Sequence, residues 1–128
     1  GGHIEPGETP EQAIVREVRE ETRWQFRPTG FVGAYLWFDP LRDARYMRLV
    51  YCGHPVSEDD SLGLDPVVSL VDWRSRDDLF ADAARLRAEV VLHCIDDYLT
   101  GQRQRFTLAR AEAPAALVAR ARPILREL

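Results

Sequence analysis

The segment Gly1–Trp24, GGHIEPGETPEQAIVREVREETRW, sets three carboxylates, Glu17, Glu20 and Glu21, at i, i+3 and i+4 of one run. Thr9 stands where an N-cap belongs, Pro10 suits the first helical position and Gln12 completes a Thr-x-x-Gln capping box. With no Gly or Pro behind them, these signals predict a helix over 10–22. With Ala13 taken as zero, Glu20, Glu17 and Glu21 fall at roughly 340°, 40° and 80°, and Ile14 and Val18 at roughly 100° and 140°. The acids therefore interleave with the apolar stripe. Like charges four residues apart repel by about 0.2–0.5 kcal/mol even in water, and burial raises that cost. Such a face needs a bound cation or shifted pKa values, and an all-oxygen donor set suits Mg²⁺, with Mn²⁺ as a substitute. The same E-x-x-E-E pattern also fits a solvated face on which Arg16 and Arg19 pair along the surface.

The wider spacing separates these readings. Gly2, Glu8, Arg16, Glu17, Val18, Glu20, Glu21 and Trp24 fall on the pattern G-x5-E-x7-R-E-U-x-E-E-x-G-U, where U is apolar. The segment resembles the Nudix box at every fixed position but one, where Arg23 stands in place of Gly. A match of this length is far more specific than a short glycine motif. The resemblance implies an α/β fold, an α/β/α sandwich with a mixed central sheet, in which the box forms a loop, a helix and a loop. It implies that Glu17, Glu20 and Glu21 are the catalytic carboxylates and Mg²⁺ ligands, with the Gly1 carbonyl as a further ligand. Glu8 and Arg16 would pair and brace the loop against the helix. Arg23 would have to end the helix in a left-handed conformation that costs a side chain about 1 kcal/mol.

The chain has 128 residues, 45% of them apolar, enough for one domain with a core. Its net charge of −4 and scattered arginines argue against binding a nucleic-acid backbone. No signal peptide, long apolar run or lipidation motif is visible, so the reading is a cytoplasmic protein without membrane association, monomeric or homodimeric. Cys52 and Cys94 stand apart and read as small buried residues, and His3, His54 and His93 lack metal-type spacing. The sequence does not open on Met. In the Nudix fold, strands of the central sheet precede the first box glycine, so the resemblance implies that those strands are missing here and that edges and core are left uncovered.

Beyond the helix, 30–38 reads as a strand closed by Asp39-Pro40, and 45–52 as a second. Residues 55–64 read as an acidic loop, 67–73 as a third strand, and Ser75 as the cap of a further helix. A longer helix from about Ala81 or Leu86 to Leu99 would pack Val90, Val91, Cys94, Ile95 and Tyr98 inward and stop at Gly101. The domain is read as 1–110, followed by a helical extension over 111–128.

Leu86-Arg87, Ile95, Tyr98 and Gly101-Gln102-Arg103 resemble the ending of the NudJ-type Nudix phosphatases, and Trp37 and Arg48 fit the same subgroup. Ala88-Glu89 departs from it, where the subgroup has Ser-Pro. This resemblance implies an enzyme acting on phosphorus anhydrides, with Mg²⁺-dependent release of orthophosphate from nucleoside tri- and diphosphates or thiamine-type pyrophosphates. The alternatives are a pyrophosphohydrolase releasing a nucleoside monophosphate and a nucleotide-binding module without catalysis. Glu20 is one candidate for the base that activates water; Asp72, Asp65 and the acidic loop are others. Arg48 could contact phosphate, and Tyr35 and Trp37, on one face of a strand, could stack a ring, although core packing suits Tyr35 better.

Overall fold

The computed structural model describes residues 1–63, 65–82 and 90–103. Helix α1, Pro10–Thr22, forms where the capping signals put it. Thr9 Oγ1 accepts the Gln12 N–H at 3.2 Å and Gln12 Oε1 accepts the Thr9 N–H at 2.9 Å, so two otherwise orphaned donors are satisfied. Arg23 ends the helix at φ 65° and ψ 2°, its N–H bonded to the Arg19 carbonyl at 2.8 Å. The left-handed turn that Gly usually supplies is made here by an arginine.

Strand β1, Trp24–Asp39, and strand β2, Ala44–Glu58, pair as one antiparallel hairpin. Both run longer than the sequence pattern implied. Pro28, which has no N–H to give a ladder, sits at the irregularity between Pro28 and Gly30, where pairing already lapses. Likewise Pro55 lies opposite Phe26 next to a register shift, so Pro55–Glu58, read as loop, belongs to β2. The hairpin turn is organised by the buried Asp39, whose carboxylate accepts the Leu41 N–H at 3.0 Å and the Arg42 guanidinium at 3.2 Å.

Residues 67–73, read as a third strand, do not form one. A strand exists only where a neighbour completes its ladder, and among the described residues β1 and β2 pair only with each other. The segment instead carries Trp73 edge-on to Trp24, centroids 5.9 Å apart.

Helix α2, Arg76–Ala81, starts at Ser75 with a reciprocal Ser75–Asp78 capping box. Helix α3, Val90–Leu99, closes with Gly101 at φ 89°. The predicted earlier start, with Leu86, Arg87, Ala88 and Glu89, and the extension over 111–128 lie outside the described residues. Arg76 ties α2 to Asp96 of α3 at 3.0 Å, and the Tyr35 hydroxyl of β1 donates to Asp97 of α3 at 2.5 Å. Val90, Val91, Cys94, Ile95 and Tyr98 are all partly buried.

The layered α/β expectation holds, with α1 and α3 both packed on β1. Among the described residues the sheet comprises two strands. Among the described residues the most buried apolar side chains are Ala13, which faces inward from α1, and Val32 in mid-strand of β1. Near the turn the hairpin alternates cleanly: Tyr35, Trp37, Tyr46 and Arg48 share the covered face, while Leu36, Phe38, Met47 and Leu49 stand exposed on the other.

Candidate active site

Arg16 is the hub of the α1 carboxylates. Its Nε and Nη2 grip Glu8 at 2.6 and 3.1 Å, its Nη2 also donates to the His3 carbonyl at 3.0 Å, and its Nη1 reaches Glu17 at 3.0 Å and Glu20 at 3.2 Å. The fork on Glu8 fastens the loop that precedes α1 to the middle of the helix, a planar geometry that only guanidinium offers. Hydrogen bonds from Arg16 and then from the Glu5 N–H hold the Glu8 carboxyl below the usual carboxylate range, and the Glu8 contact raises the Arg16 pKa further still.

Glu5 lies 3.9 Å from the same guanidinium, so four carboxylates surround one positive charge. Formally the cluster keeps a surplus of negative charge, to which Glu21 adds. Gly1 lies beside the Glu21 carboxylate. Glu17 is the most enclosed of the three, its side chain 15% exposed against 53% for Glu20 and 39% for Glu21. Gly2 makes that enclosure possible, because a Cβ at Gly2 would overlap the Glu17 carboxylate.

In this arrangement no three His, Cys, Asp or Glu side chains among the described residues are gathered as a ready-made metal cage. Glu17 and Glu20 point to Arg16. The donor chemistry nevertheless fits a hard divalent cation: oxygen ligands only, excess negative charge, and a glycine backbone against the innermost carboxylate.

A cavity of about 960 Å³ opens beside Glu20. Val15, Arg16 and Arg19 line it from α1, and Leu62, Asp65 and Pro66 from the chain that follows β2. Two of the residues named as possible bases, Glu20 and Asp65, thus border one space. Asp72 instead pairs with Arg74 at 3.0 Å, and the acidic residues Glu58 and Asp59 pair with Arg23 at 3.0 Å and Arg19 at 3.4 Å.

Tyr35, Trp37 and Arg48 lie toward the turn end of the hairpin and do not line this cavity. Arg48 packs over the Trp37 ring at 4.9 Å, and Trp37 stacks on Tyr46 at 5.6 Å. Burial, and next the Asp97 hydrogen bond, push the Tyr35 phenol well above the usual tyrosine range. Cys52 and Cys94 are free and half-buried, and burial raises the Cys94 thiol.

The links from Arg19 and Arg23 to the end of β2 were not anticipated from sequence. Pairs separated by 40 and 35 positions leave no local signal. The turn at Asp59 could have been found, since Asp followed two positions later by Ser is a common side-chain-capped turn.

The fold and the box define a Nudix domain: residues 1–94 match the NUDIX domain model, and the chain belongs to that family. It is 28% identical over 102 residues to the proteins described as Phosphatase NudJ of Escherichia coli (strain K12) and of Shigella flexneri, a match spanning 80% of this chain and 65% of theirs. Less than two thirds of the length of those relatives is therefore represented. The NUDIX hydrolase from Nitrosomonas europaea superimposes with a TM-score of 0.77 at 39% identity, covering 80% of this chain and 69% of that one. No helix among the described residues is long and apolar enough to cross a membrane.

Proposed function

We propose that this chain is the catalytic domain of a divalent-cation-dependent hydrolase that cleaves a terminal phosphate from nucleoside tri- or diphosphates or from a thiamine-type pyrophosphate. The observation that carries the reading is the surplus of carboxylates on α1 around the Glu8–Arg16 fork, with Gly2 against Glu17 and an open cavity beside Glu20. The relatives described as phosphatase and hydrolase support it.

Glu17, Glu20 and Glu21, with the Gly1 carbonyl, would hold Mg²⁺ or Mn²⁺. When bound, the cation supplies charge neutralisation for the phosphates and a more acidic water. Arg16 fixes the preceding loop through Glu8 and the His3 carbonyl and keeps Glu17 and Glu20 on one side of α1, from which they would turn toward the cation. Water attacks the terminal phosphorus, the bridging P–O bond breaks, and the proton passes to a carboxylate oxygen, of Glu20 in the first place or of Asp65 across the same cavity. Orthophosphate and the shortened substrate leave. Trp37, packed between Arg48 and Tyr46, lies away from the cavity and serves the sheet rather than a substrate ring, and Tyr35 ties the sheet to α3. The reading is of a cytoplasmic protein, and no helix among the described residues is long and apolar enough to cross a membrane.

The test is the product formed from thiamine pyrophosphate, nucleoside tri- and diphosphates and ADP-ribose, with and without Mg²⁺. Mg²⁺-dependent orthophosphate from the first two groups is the expected result. Nucleoside monophosphate with pyrophosphate would instead make it a pyrophosphohydrolase, and nucleotide binding without turnover a binding module.

A further inference from the structure

The cavity beside Glu20 has one wall on α1 and another on the chain that leaves β2. The β1–β2 ladder, which pairs Trp24 with Glu58, brings the end of α1 to the start of that second wall, and Asp59 carries the junction past the ladder. Its N–H donates to the Arg23 carbonyl at 2.9 Å, fastening it to the residue that ends α1. Its Oδ2 accepts from Arg19 Nη2 at 3.4 Å, one turn back on the helix. Its Oδ1 accepts the Ser61 N–H at 3.1 Å and the Ser61 hydroxyl at 2.5 Å, and its carbonyl accepts the Leu62 N–H at 3.3 Å. One residue thus grips the helix on one side and shapes the following turn on the other, and that turn delivers Leu62 and Gly63 to the cavity. The neighbouring Arg23–Glu58 pair at 3.0 Å secures the same junction. Arg19 and Arg23 bracket Glu20 and Glu21 in sequence, so the junction is anchored on the turn of helix that bears two of the three box carboxylates.

We infer that Asp59 is a positioning residue that fixes the outer wall of the substrate cavity relative to Glu20, and so sets how well the organic part of the substrate is held. The inference rests on the hydrolase reading above. An isolated exposed ion pair would do little, since such pairs contribute small stabilisation. Asp59 differs because one carboxylate joins two chain segments through three hydrogen bonds, with its own backbone adding two more. Removing the carboxylate should leave the box intact and loosen the far wall, which weakens substrate binding more than it slows the chemical step.

The experiment compares the full chain with Asp59→Ala, Arg19→Gln and the exchanged pair Arg19→Asp with Asp59→Arg, reading steady-state kinetics on the best substrate together with amide exchange at Ser61 and Leu62. For Asp59→Ala the expected result is a KM raised about fivefold or more with kcat changed less than about twofold, alongside faster exchange at both amides. Arg19→Gln, which spares the Ser61 turn, should give the same split at smaller size, and the exchanged pair should recover part of the loss. Unchanged KM in Asp59→Ala and Arg19→Gln, or kcat and kcat/KM falling together, would overturn the inference. Should the unaltered chain hydrolyse none of the diphosphates, the hydrolase reading fails by itself. Protection at Ser61 and Leu62 that is lost in Asp59→Ala would still establish Asp59 as the anchor, and its absence would remove it.

Discussion

Arg16 holds Glu8 through two nitrogens, at 2.6 and 3.1 Å, and with the remaining face of the same guanidinium reaches Glu17 and Glu20. One side chain therefore sets both the loop before α1 and two of the carboxylates proposed to hold the cation. Lysine keeps the charge but cannot make the fork. Arg16→Lys should raise the Mg²⁺ concentration needed for half-maximal phosphate release by about 10-fold or more, the range seen when groups supporting metal ligands are altered. A Mg²⁺ titration of activity that superimposes on the unaltered protein would remove Arg16 from that role.

Glu20 stands at the junction of the carboxylate cluster and the cavity, and is the most exposed of the three box acids at 53%. Glu20→Gln should reduce turnover by about 10²-fold or more while changing the melting temperature little. Its Mg²⁺-induced rise in melting temperature should shrink as well, because a ligand stabilises only the state that binds it. Full activity in this variant would take Glu20 out of the site.

Arg23 adopts φ 65°, a conformation that costs a side chain about 1 kcal/mol relative to Gly. Its Nε is buried without a hydrogen-bond partner among the described residues, and its gain is the partly exposed pair with Glu58. A pair of that kind returns about 0–1 kcal/mol, less than the two costs together. Arg23→Gly should therefore stabilise the domain by up to about 1 kcal/mol, read as a higher denaturation midpoint. Loss of stability would mean that the Glu58 pair outweighs the strained backbone.

The bond from the Tyr35 hydroxyl to Asp97 crosses from β1 to α3. Tyr35→Phe should cost about 1 kcal/mol in urea unfolding and leave kcat little altered, since the residue lies away from the cavity. The pH dependence follows from the raised phenol pKa, caused first by burial and then by Asp97. A phenol whose pKa is higher in the folded state contributes stability fully below the unfolded value near about 10 and loses it as pH rises through the folded value. The difference in stability between the native chain and Tyr35→Phe should hold at neutral pH and diminish above about pH 10. Asp59 behaves in the opposite sense. Its carboxyl is held low by the Ser61 hydroxyl, then the Ser61 N–H, then Arg19, so its anchoring persists above about pH 4 and is lost as pH falls through the depressed value.

What could be read locally was read well. Helix α1 forms over Pro10–Thr22 because its capping box, its initial proline and its uninterrupted run lie within a few residues of one another, and the hydrogen bonds they make are equally local. The stop at Gly101 and the Ser75 cap are of the same kind. Strand ends were read less well, because Pro28 and Pro55 look like breaks in a single strand and are tolerated only where a partner strand's register already slips. Residues 67–73 carry a strand's composition but not a strand's neighbour.

The same division runs through the candidate site. The sequence alone determined the family and the helical face shared by Glu17, Glu20 and Glu21, since a 3.6-residue period converts spacing directly into direction. The Arg16 pairs with Glu8 and Glu20 were legible as well, being local in the chain; the tertiary structure alone decided that Asp65 rather than Asp72 borders the cavity with Glu20, and that Asp59 joins the helix to the far wall. Those contacts join residues brought together by the hairpin and its loops, and the period of a helix carries no information about which distant charge the folded chain will set against it.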